Sequence, residues 1–395
     1  MSLRTITEPA RQIPIVEEVD VVVVGGGTAG LPAAVAAARN GARTALVERW
    51  GYVGGAAVGG LVVTVPEKAG IWGIQREFYG ELAKLGGVAW GQWIPNENWA
   101  VVSAPISKYL ADVFLQRENV SLLYHSWCAA VQVNNGRINA VIVENKSGRQ
   151  AIAAKVVIDA TGDADVSHLA GALTVKGDAH GHLAPITTMY MIAGADSKVW
   201  GSYEKPWELA VQPCSSICET RVNPGEFNAW GGSIKGDGAD VRELTRLEIQ
   251  LRAAILAEFA NVRKLPGMAQ SYISCIAEQM GVRETRRIVA DAMLTAEDGK
   301  AGRVFDDTIG RAYTFTVPYS SLIPQRLENL LVAGRCIGCD HGVHDKIRIV
   351  PVCCTTGQAA GTAAALAARA DGDVRRVDIA RLQTLLAQQG VNLGR

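Results

Sequence analysis

Three glycines and one glutamate carry the first chemical signal: Gly25, Gly27, Gly30 and Glu48. The G-x-G-x-x-G run lies where an apolar stretch, Val19 to Val24, gives way to small residues, Ala33 to Ala38. Gly25 allows a tight turn, and Gly27, lacking a Cβ, lets a pyrophosphate approach the backbone. Gly30 lets a helix pack closely on a strand. Thr28 and Ala29 complete the turn, and the helix start offers free N–H groups and partial positive charge to phosphates. Glu48 follows Gly30 by 18 residues. Its carboxylate there accepts hydrogen bonds from ribose hydroxyls and repels a 2′-phosphate. The pattern predicts dinucleotide binding, continued by Arg49, Gly54 and Gly55.

The elements that position these residues are legible in the same stretch. Val19 to Val24 is apolar apart from Asp20 and does not alternate, as expected of a strand covered on both faces. Thr44 to Val47 is a second such run. The alanine-rich segment between them is a good helix, closed by Gly41. The unit therefore reads strand, turn, helix, strand.

The chain has 395 residues, enough for two domains with a sizeable core. Lys plus Arg and Asp plus Glu both number 39, so no charge excess suggests a nucleic-acid or membrane surface. No apolar run reaches the ~18 residues of a membrane span, and the N-terminus lacks an apolar signal core. A soluble, cytoplasmic protein is expected. Its eight cysteines are then expected to be thiols. Cys336-x-x-Cys339 and the Cys353-Cys354 pair leave a metal or a redox disulfide open, but no second C-x-x-C at finger-like spacing is present. They are expected to be small buried fillers, and no metal is expected. His180-Gly181-His182 supplies only two ligands and is read as a loop or site rim.

The run from Gly25 through Glu48 to Gly54-Gly55 resembles the FAD-binding half of the glutathione-reductase-like flavoproteins. Val156 to Asp163, with Ala160-Thr161-Gly162, resembles their second flavin strand and turn. Leu330 to Arg335, with Gly334 and Arg335, resembles the late strand under the ribityl chain. Gly357 to Ala364 resembles the C-terminal helix whose N-terminus points at the flavin pyrimidine edge, with Thr355, Thr356 and Gly357 at its start. GVRETRRIVAD (Gly281 to Asp291), VPYSSLIPQRLENLLVAGRCIG (Val317 to Gly338) and GQAAGTAAALA (Gly357 to Ala367) are together similar to the bacterial FAD-dependent oxidoreductase family. The resemblance implies an α/β fold: a Rossmann-like FAD-binding domain with an inserted α+β substrate domain. It implies FAD contacts at Gly25, Gly27, Thr28, Ala29, Gly30, Glu48, Arg49, Gly54, Gly55, Ala160, Thr161, Gly162, Gly334, Arg335, Thr356 and Gly357. It also puts a meander beside the adenosine, with Ala130 or a neighbour offering backbone contacts.

The FAD domain is expected to be discontinuous, over residues 1–65, 102–172 and 326–395, with a substrate domain over 66–101 and 173–325. Val131 to Val133, Ile138 to Glu144 and Gln150 to Val157 read as the meander, turning at Asn134-Asn135-Gly136. Val241 to Leu265 reads as an amphipathic packing helix, with Asp240 and Glu243 resembling a capping box. A last amphipathic helix is expected over Asp378 to Gln389. No second G-x-G-x-x-G follows a strand; Gly231-Gly232 and Gly236-x-Gly238 read as a polar turn.

The residues expected to do the chemistry lie mostly between Cys339 and Arg348, read as a loop beside the flavin. His341 or His344 can move a proton near neutral pH. Arg348 can pair with an anionic substrate or with reduced flavin. In the charged run Arg283, Glu284, Arg286, Arg287, strand alternation would part Arg283 and Arg287 from Arg286, and Arg283 is the favoured site residue. Trp90, Trp93 and Trp99 wall a pocket or belong to the core. The region after Gly54 lacks cysteines, which argues against a thiol-disulfide reductase. The expected function is an FAD-dependent dehydrogenase or oxidase removing hydride from a small organic molecule. Oxygen, a quinone or a redox protein would exchange its electrons, and a homo-oligomer is possible. The alternatives are a flavin monooxygenase, a fumarate-reductase-like ene-reductase, and a non-catalytic electron-transfer subunit.

Overall fold

The computed structural model describes residues 4–94, 97–201 and 216–395. Cys214 lies outside them, and so does the side chain of Trp93. β1 (Ile15–Val24), α1 (Gly30–Arg39) and β2 (Thr44–Val47) form the first unit. An excursion follows through β3 (Thr64–Pro66), α2 (Gly73–Lys84), β4 (Val88–Ile94), β5 (Glu97–Val102) and α3 (Ala104–Arg117). The chain returns as β6 (Ser121–Leu123) and runs through β7 (Trp127–Asn134), β8 (Arg137–Asn145), β9 (Gly148–Asp159) and α4 (Asp165–Leu169). A longer excursion holds β10 (Thr174–Lys176), β11 (Ile186–Ala193), α5 (Ser197–Gly201), β12 (Ser216–Glu219), β13 (Phe227–Ile234), α6 (Val241–Val262), β14 (Tyr272–Ile276), β15 (Arg286–Ile288), α7 (Ala296–Ala301), β16 (Thr308–Ala312) and β17 (Phe315–Pro318). β18 (Leu330–Val332), α8 (His341–Ile347), α9 (Val350–Ala368) and α10 (Ile379–Gln388) close the chain.

The central sheet has the order β6-β2-β1-β9-β8-β7, with β18 also on β9. β1 pairs in parallel with β2 and β9. β9 is long enough for two partners on its other side. Its first half pairs antiparallel with β8, and its last residues pair in parallel with β18. The continuous valines of β1 serve two cores: Val21 and Val23 pack under α1 and α9, and Val22 and Val24 pack against the meander. The meander turns where expected, with Asn135 and Gly136 both at positive φ, the geometry that splices two strands through a two-residue turn. No single helix among the described residues is long and apolar enough to cross a membrane.

The longer excursion builds a four-stranded antiparallel sheet, β12-β13-β11-β14. One face, with Tyr190, Ile192, Phe227 and Ala229, is covered by Ile255 and Val262 of α6. The other face turns Met189, Met191 and Trp230 toward the main core. Three local expectations are corrected here. Gly231-Gly232 lie inside β13, because Trp230 and its neighbours pair with β11. α6 ends at Val262. Asp240 caps it alone, since Glu243 turns to Arg246 and leaves the capping box open.

Candidate functional site

β1, β9 and β18 run in parallel, and their C-terminal ends open on one crevice, the position where ligands bind in open parallel sheets. After β1 the chain turns through Gly25 at φ +96, a backbone conformation closed to most L-residues. α1 then starts at Gly30 with no side-chain cap. Among the described residues the amides of Gly27, Thr28, Ala29 and Gly30 donate to no protein group. Four donors and the positive end of a helix therefore face the crevice. Gly54 closes the turn from above, its amide donating to the Gly26 carbonyl at 2.7 Å. Glu48 ends β2, buried, and accepts from the amides of Gly26 at 2.7 Å and Trp50 at 2.8 Å. Burial pushes its carboxyl up, against those two hydrogen bonds and Arg49. The Arg49 guanidinium lies between the Trp50 and Trp127 rings, at 5.6 and 5.2 Å from their centroids. Ala130 lies in β7, opposite Ile142 and beside a bulge at Cys128.

The second turn, after β9, is held by a fully buried carboxylate. Asp159 accepts from Thr161 Oγ1 and Ser167 Oγ, both at 2.7 Å, and from the amides of both residues. This fixes Ala160-Thr161-Gly162 beside the turn of β1, where the Ala160 amide donates to the Val24 carbonyl. Arg335, just past β18, pairs with Asp163, and its Nε has no partner among the described residues. Asp165 pairs with Arg286. Burial, then Asp163 and Asp159, still push its carboxyl up to about 6. The Asp163 and Asp165 contacts had no signal in the sequence beyond their place after the Ala-Thr-Gly turn.

These residues fit a dinucleotide, and Gly27 is the test. A Cβ built there meets only the Gly55 Cα, at 3.9 Å. The protein itself leaves that space open, over uncapped amides and next to an acid at the end of β2. Thr356 and Gly357 are different. α9 starts at Val350, with Pro351 in its first turn, so both residues lie one turn or more inside the helix. Thr356 Oγ1 accepts from the Gly334 amide at 3.0 Å and donates to the Cys353 carbonyl. A Cβ on Gly357 would fall well inside contact distance of the Ala29 carbonyl, and one on Gly361 would do the same to Ala33. The two glycines let α9 lie against α1. The helix start at the crevice is at Val350, because Pro351 suits a first turn and Ile349 takes the extended cap conformation.

The expected loop from Cys339 to Arg348 is the short helix α8, capped by Asp340, whose side chain accepts from the Val343 amide at 2.9 Å. Residues 283 to 286 run beside it and point in different directions. Arg283 lies over the Trp230 ring, 5.9 Å from its centroid. Glu284, fully buried, meets His341 Nδ1 at 3.0 Å and pairs with Arg287. Thr285 Oγ1 and the Arg286 side chain reach Asp163, and Arg286 also holds Asp165. Burial would raise Glu284, but His341, the Ala184 amide and Arg287 outweigh it and hold the carboxyl low. Arg287 is buried and bonds the Cys339 and Gly177 carbonyls. It thus parts from Arg283, since the strand begins only at Arg286.

His341 is 38 % exposed and faces a groove of about 610 Å³ shared with Lys176, Asp178 and Asp340. His344 is buried, with Nε2 2.8 Å from the Arg335 carbonyl. Burial lowers its pKa to about 4, so it stays uncharged near neutral pH and does not match the expected proton carrier. Arg348 ends α8 and binds one Asp345 oxygen through Nε at 2.9 Å and Nη2 at 2.6 Å. Among the described residues no group of three metal-type ligands exists, and the seven described cysteines are free. Cys336, Cys339 and Cys353 are buried as fillers, with burial pushing the Cys339 thiol up to about 12 and Cys353 to about 11. His182 and the 180–182 backbone are tied to Asp178. Trp90 sits on β4, half exposed against Tyr79, and Trp99 lies on β5.

Residues 20–313 and 311–386 match the family model described as FAD dependent oxidoreductase. A comparison with curated protein sequences found no match. A geranylgeranyl bacteriochlorophyll reductase-like protein from Thermoplasma acidophilum is similar in structure, with a TM-score of 0.54 at 15% identity over 95% of this chain and 84% of that one. A triple mutant of the flavin-dependent brominase Bmp2 gives 0.53 at 12% identity, over 94% and 84%. CabE, an aromatic hydroxylase from angucycline biosynthesis, gives 0.51 at 13% identity, over 95% and 70%. At these identities the likeness is one of fold.

Proposed function

The chain belongs to the FAD-dependent oxidoreductase family, and from that premise we propose that it oxidises a C–H bond of a small organic molecule bound beside α8. FAD supplies the hydride acceptor. Gly27, Thr28, Ala29 and Gly30 would hold its pyrophosphate through their amides, and Glu48 would hold the adenosine ribose. Thr161, Gly162, Gly334 and Arg335 line the rest of the crevice.

The observation that carries the reading is the His341–Glu284 pair. A half-exposed imidazole with a buried carboxylate 3.0 Å behind it is the arrangement of an oriented general base. His341 takes the O–H or N–H proton of the substrate as hydride leaves the adjacent carbon. Glu284 fixes the ring through Nδ1, and Arg287 helps to keep Glu284 ionised. α8 ties this pair to the crevice, because His344 on the same helix bonds the Arg335 carbonyl. The bound flavin would need oxygen, a quinone or a redox protein as its electron acceptor.

A monooxygenase is the second reading. The likeness in fold to a flavin-dependent brominase and to an aromatic hydroxylase supports it. The two readings separate in one experiment. The purified protein is reduced without air, then mixed with air-saturated buffer, and the flavin band near ~450 nm is timed. Slow return supports substrate oxidation with an acceptor other than oxygen; the same run with candidate aromatic and alkene substrates added separates the fast cases, and one peroxide per flavin with every one of them supports substrate oxidation. Fast return that delivers an oxygen atom to a second substrate in place of peroxide overturns it.

A further inference from the structure

Arg335 is a cation placed where three turns of the crevice meet. A Cβ on Gly25 would run into Ala160 and Thr161, and one on Gly334 would come within 3.1 Å of the Ala29 Cβ. The turns after β1, β9 and β18 therefore form one continuous rim. Arg335 lies on it, and a Cβ on Gly162 would stand only 2.5 Å from its Nη1. Gly162 is at φ +81, so the missing side chain serves both the turn and the guanidinium laid against it.

The guanidinium is only partly used. Nη2 bonds Asp163, and one oxygen of that carboxylate serves both Arg335 and Thr285. Nε is buried, and neither Nε nor Nη1 has a partner among the described residues. Donors of a charged group left without acceptors are costly. The side chain is 24% exposed, so the group keeps an open side. The charges around it point to the same need. Asp159, Asp163 and Asp165 stand together after β9, and they would repel an anion laid over the rim. The amides of Gly27 to Gly30 offer such an anion partial charge alone.

We propose that Arg335 binds the pyrophosphate of FAD through its open donors, beside those amides, and supplies the full positive charge that the three carboxylates make necessary. A planar guanidinium presents paired donors that match phosphate oxygens. Its carbonyl accepts from His344 Nε2 at 2.8 Å, so the same residue joins the phosphate site to the helix that carries His341. This rests on the reading of the chain as an FAD-dependent enzyme.

The test compares wild type, Arg335→Gln and Arg335→Lys, each freed of flavin and titrated with FAD. Phosphorus NMR and the reduction potential are then measured on the loaded proteins. Arg335→Gln should bind FAD at least tenfold more weakly, and the phosphorus resonances of its bound FAD should move while the reduction potential holds. Arg335→Lys should recover part of the affinity, since it restores charge without the paired donors, and should still show moved resonances. It therefore carries the test if Arg335→Gln does not fold. A merely structural role would lower the melting temperature of the flavin-free protein and leave the resonances where they are in wild type. The proposal is overturned if affinity is unchanged, if the phosphorus resonances of both variants coincide with those of wild type, or if the reduction potential moves in place of the resonances, which would put Arg335 at the flavin ring. Wild-type protein that takes up no FAD at all overturns the flavoenzyme reading beneath it instead.

Discussion

Gly27, ahead of α1, and Gly357 and Gly361, within α9, belong to two glycine-bearing segments that meet at the α1–α9 contact. Above Gly27 the nearest obstacle to a Cβ is Gly55, at ordinary contact distance. Beside Gly357 and Gly361 the obstacle is the backbone of α1 itself, at Ala29 and Ala33. One glycine keeps space for something the protein does not contain, and the other two keep space for a neighbouring helix. The distinction needs no knowledge of the ligand. It separates two roles that composition alone confuses, because both segments present small residues at a helix.

The comparison breaks most visibly at α9. Gly361→Leu should force the helices apart and cost roughly 4 kcal/mol or more, in the range reserved for gross core disruption. The expected outcome is insoluble or unfolded protein even with excess FAD, read by circular dichroism and solubility. A folded variant with normal FAD content would show that α9 can shift away from α1. Gly27→Val should do the reverse. The apo fold and its melting temperature are retained, while FAD affinity falls on the order of 100-fold, about 3 kcal/mol. Titration of apo protein with FAD measures it, and an unchanged affinity would remove Gly27 from the pyrophosphate site.

The first unit, β2, the meander and β18 were legible because each is short, apolar and bounded by a turn residue whose conformation is forced. Asn135-Gly136 is the simplest case. The start of α9 was not legible, since Thr355-Thr356-Gly357 has the composition of a helix start and Val350-Pro351-Val352 that of a strand end. α8 was hidden by Gly342 and by its length. The link of Glu284 to His341, 57 residues apart, and the stack of Arg283 on Trp230 are tertiary and have no periodicity to betray them. The sequence could name the cofactor turn because a ligand-binding backbone is local. It could only suggest the substrate residues, because their partners arrive from other elements.

His344 sharpens this second point. Its ring stays uncharged down to about pH 4 in the fold and charges near 6.5 once unfolded. The unfolded state therefore binds the extra proton first. The contribution is complete above pH 6.5 and is lost as the pH falls from 6.5 to 4. The effect is on the order of 2 kcal/mol, moderated by the neighbouring charges of Glu284, Arg287 and Arg348. Denaturant midpoints at pH 7 and pH 4.5 measure it. His344→Gln, which keeps a donor for the Arg335 carbonyl, should show a shallower acid loss, and an unchanged slope would assign the lability elsewhere.

The smallest effect returns to the open turn. Glu48 accepts from two amides, so it shapes the Gly26–Trp50 corner as well as facing the ribose. Its carboxyl is pushed up by burial, against the two amide hydrogen bonds and Arg49. Glu48→Gln keeps the volume but offers one acceptor oxygen to two amides, and its NH₂ faces one of them. If Glu48 served only the corner, the loss would appear as a lower melting temperature of the apo protein with FAD affinity unchanged. If it also holds the ribose, FAD affinity falls by about tenfold, 1.4 kcal/mol, beyond any change in apo stability. Measuring both quantities on the same preparation separates the two, because the corner exists in either state and the ribose only in one.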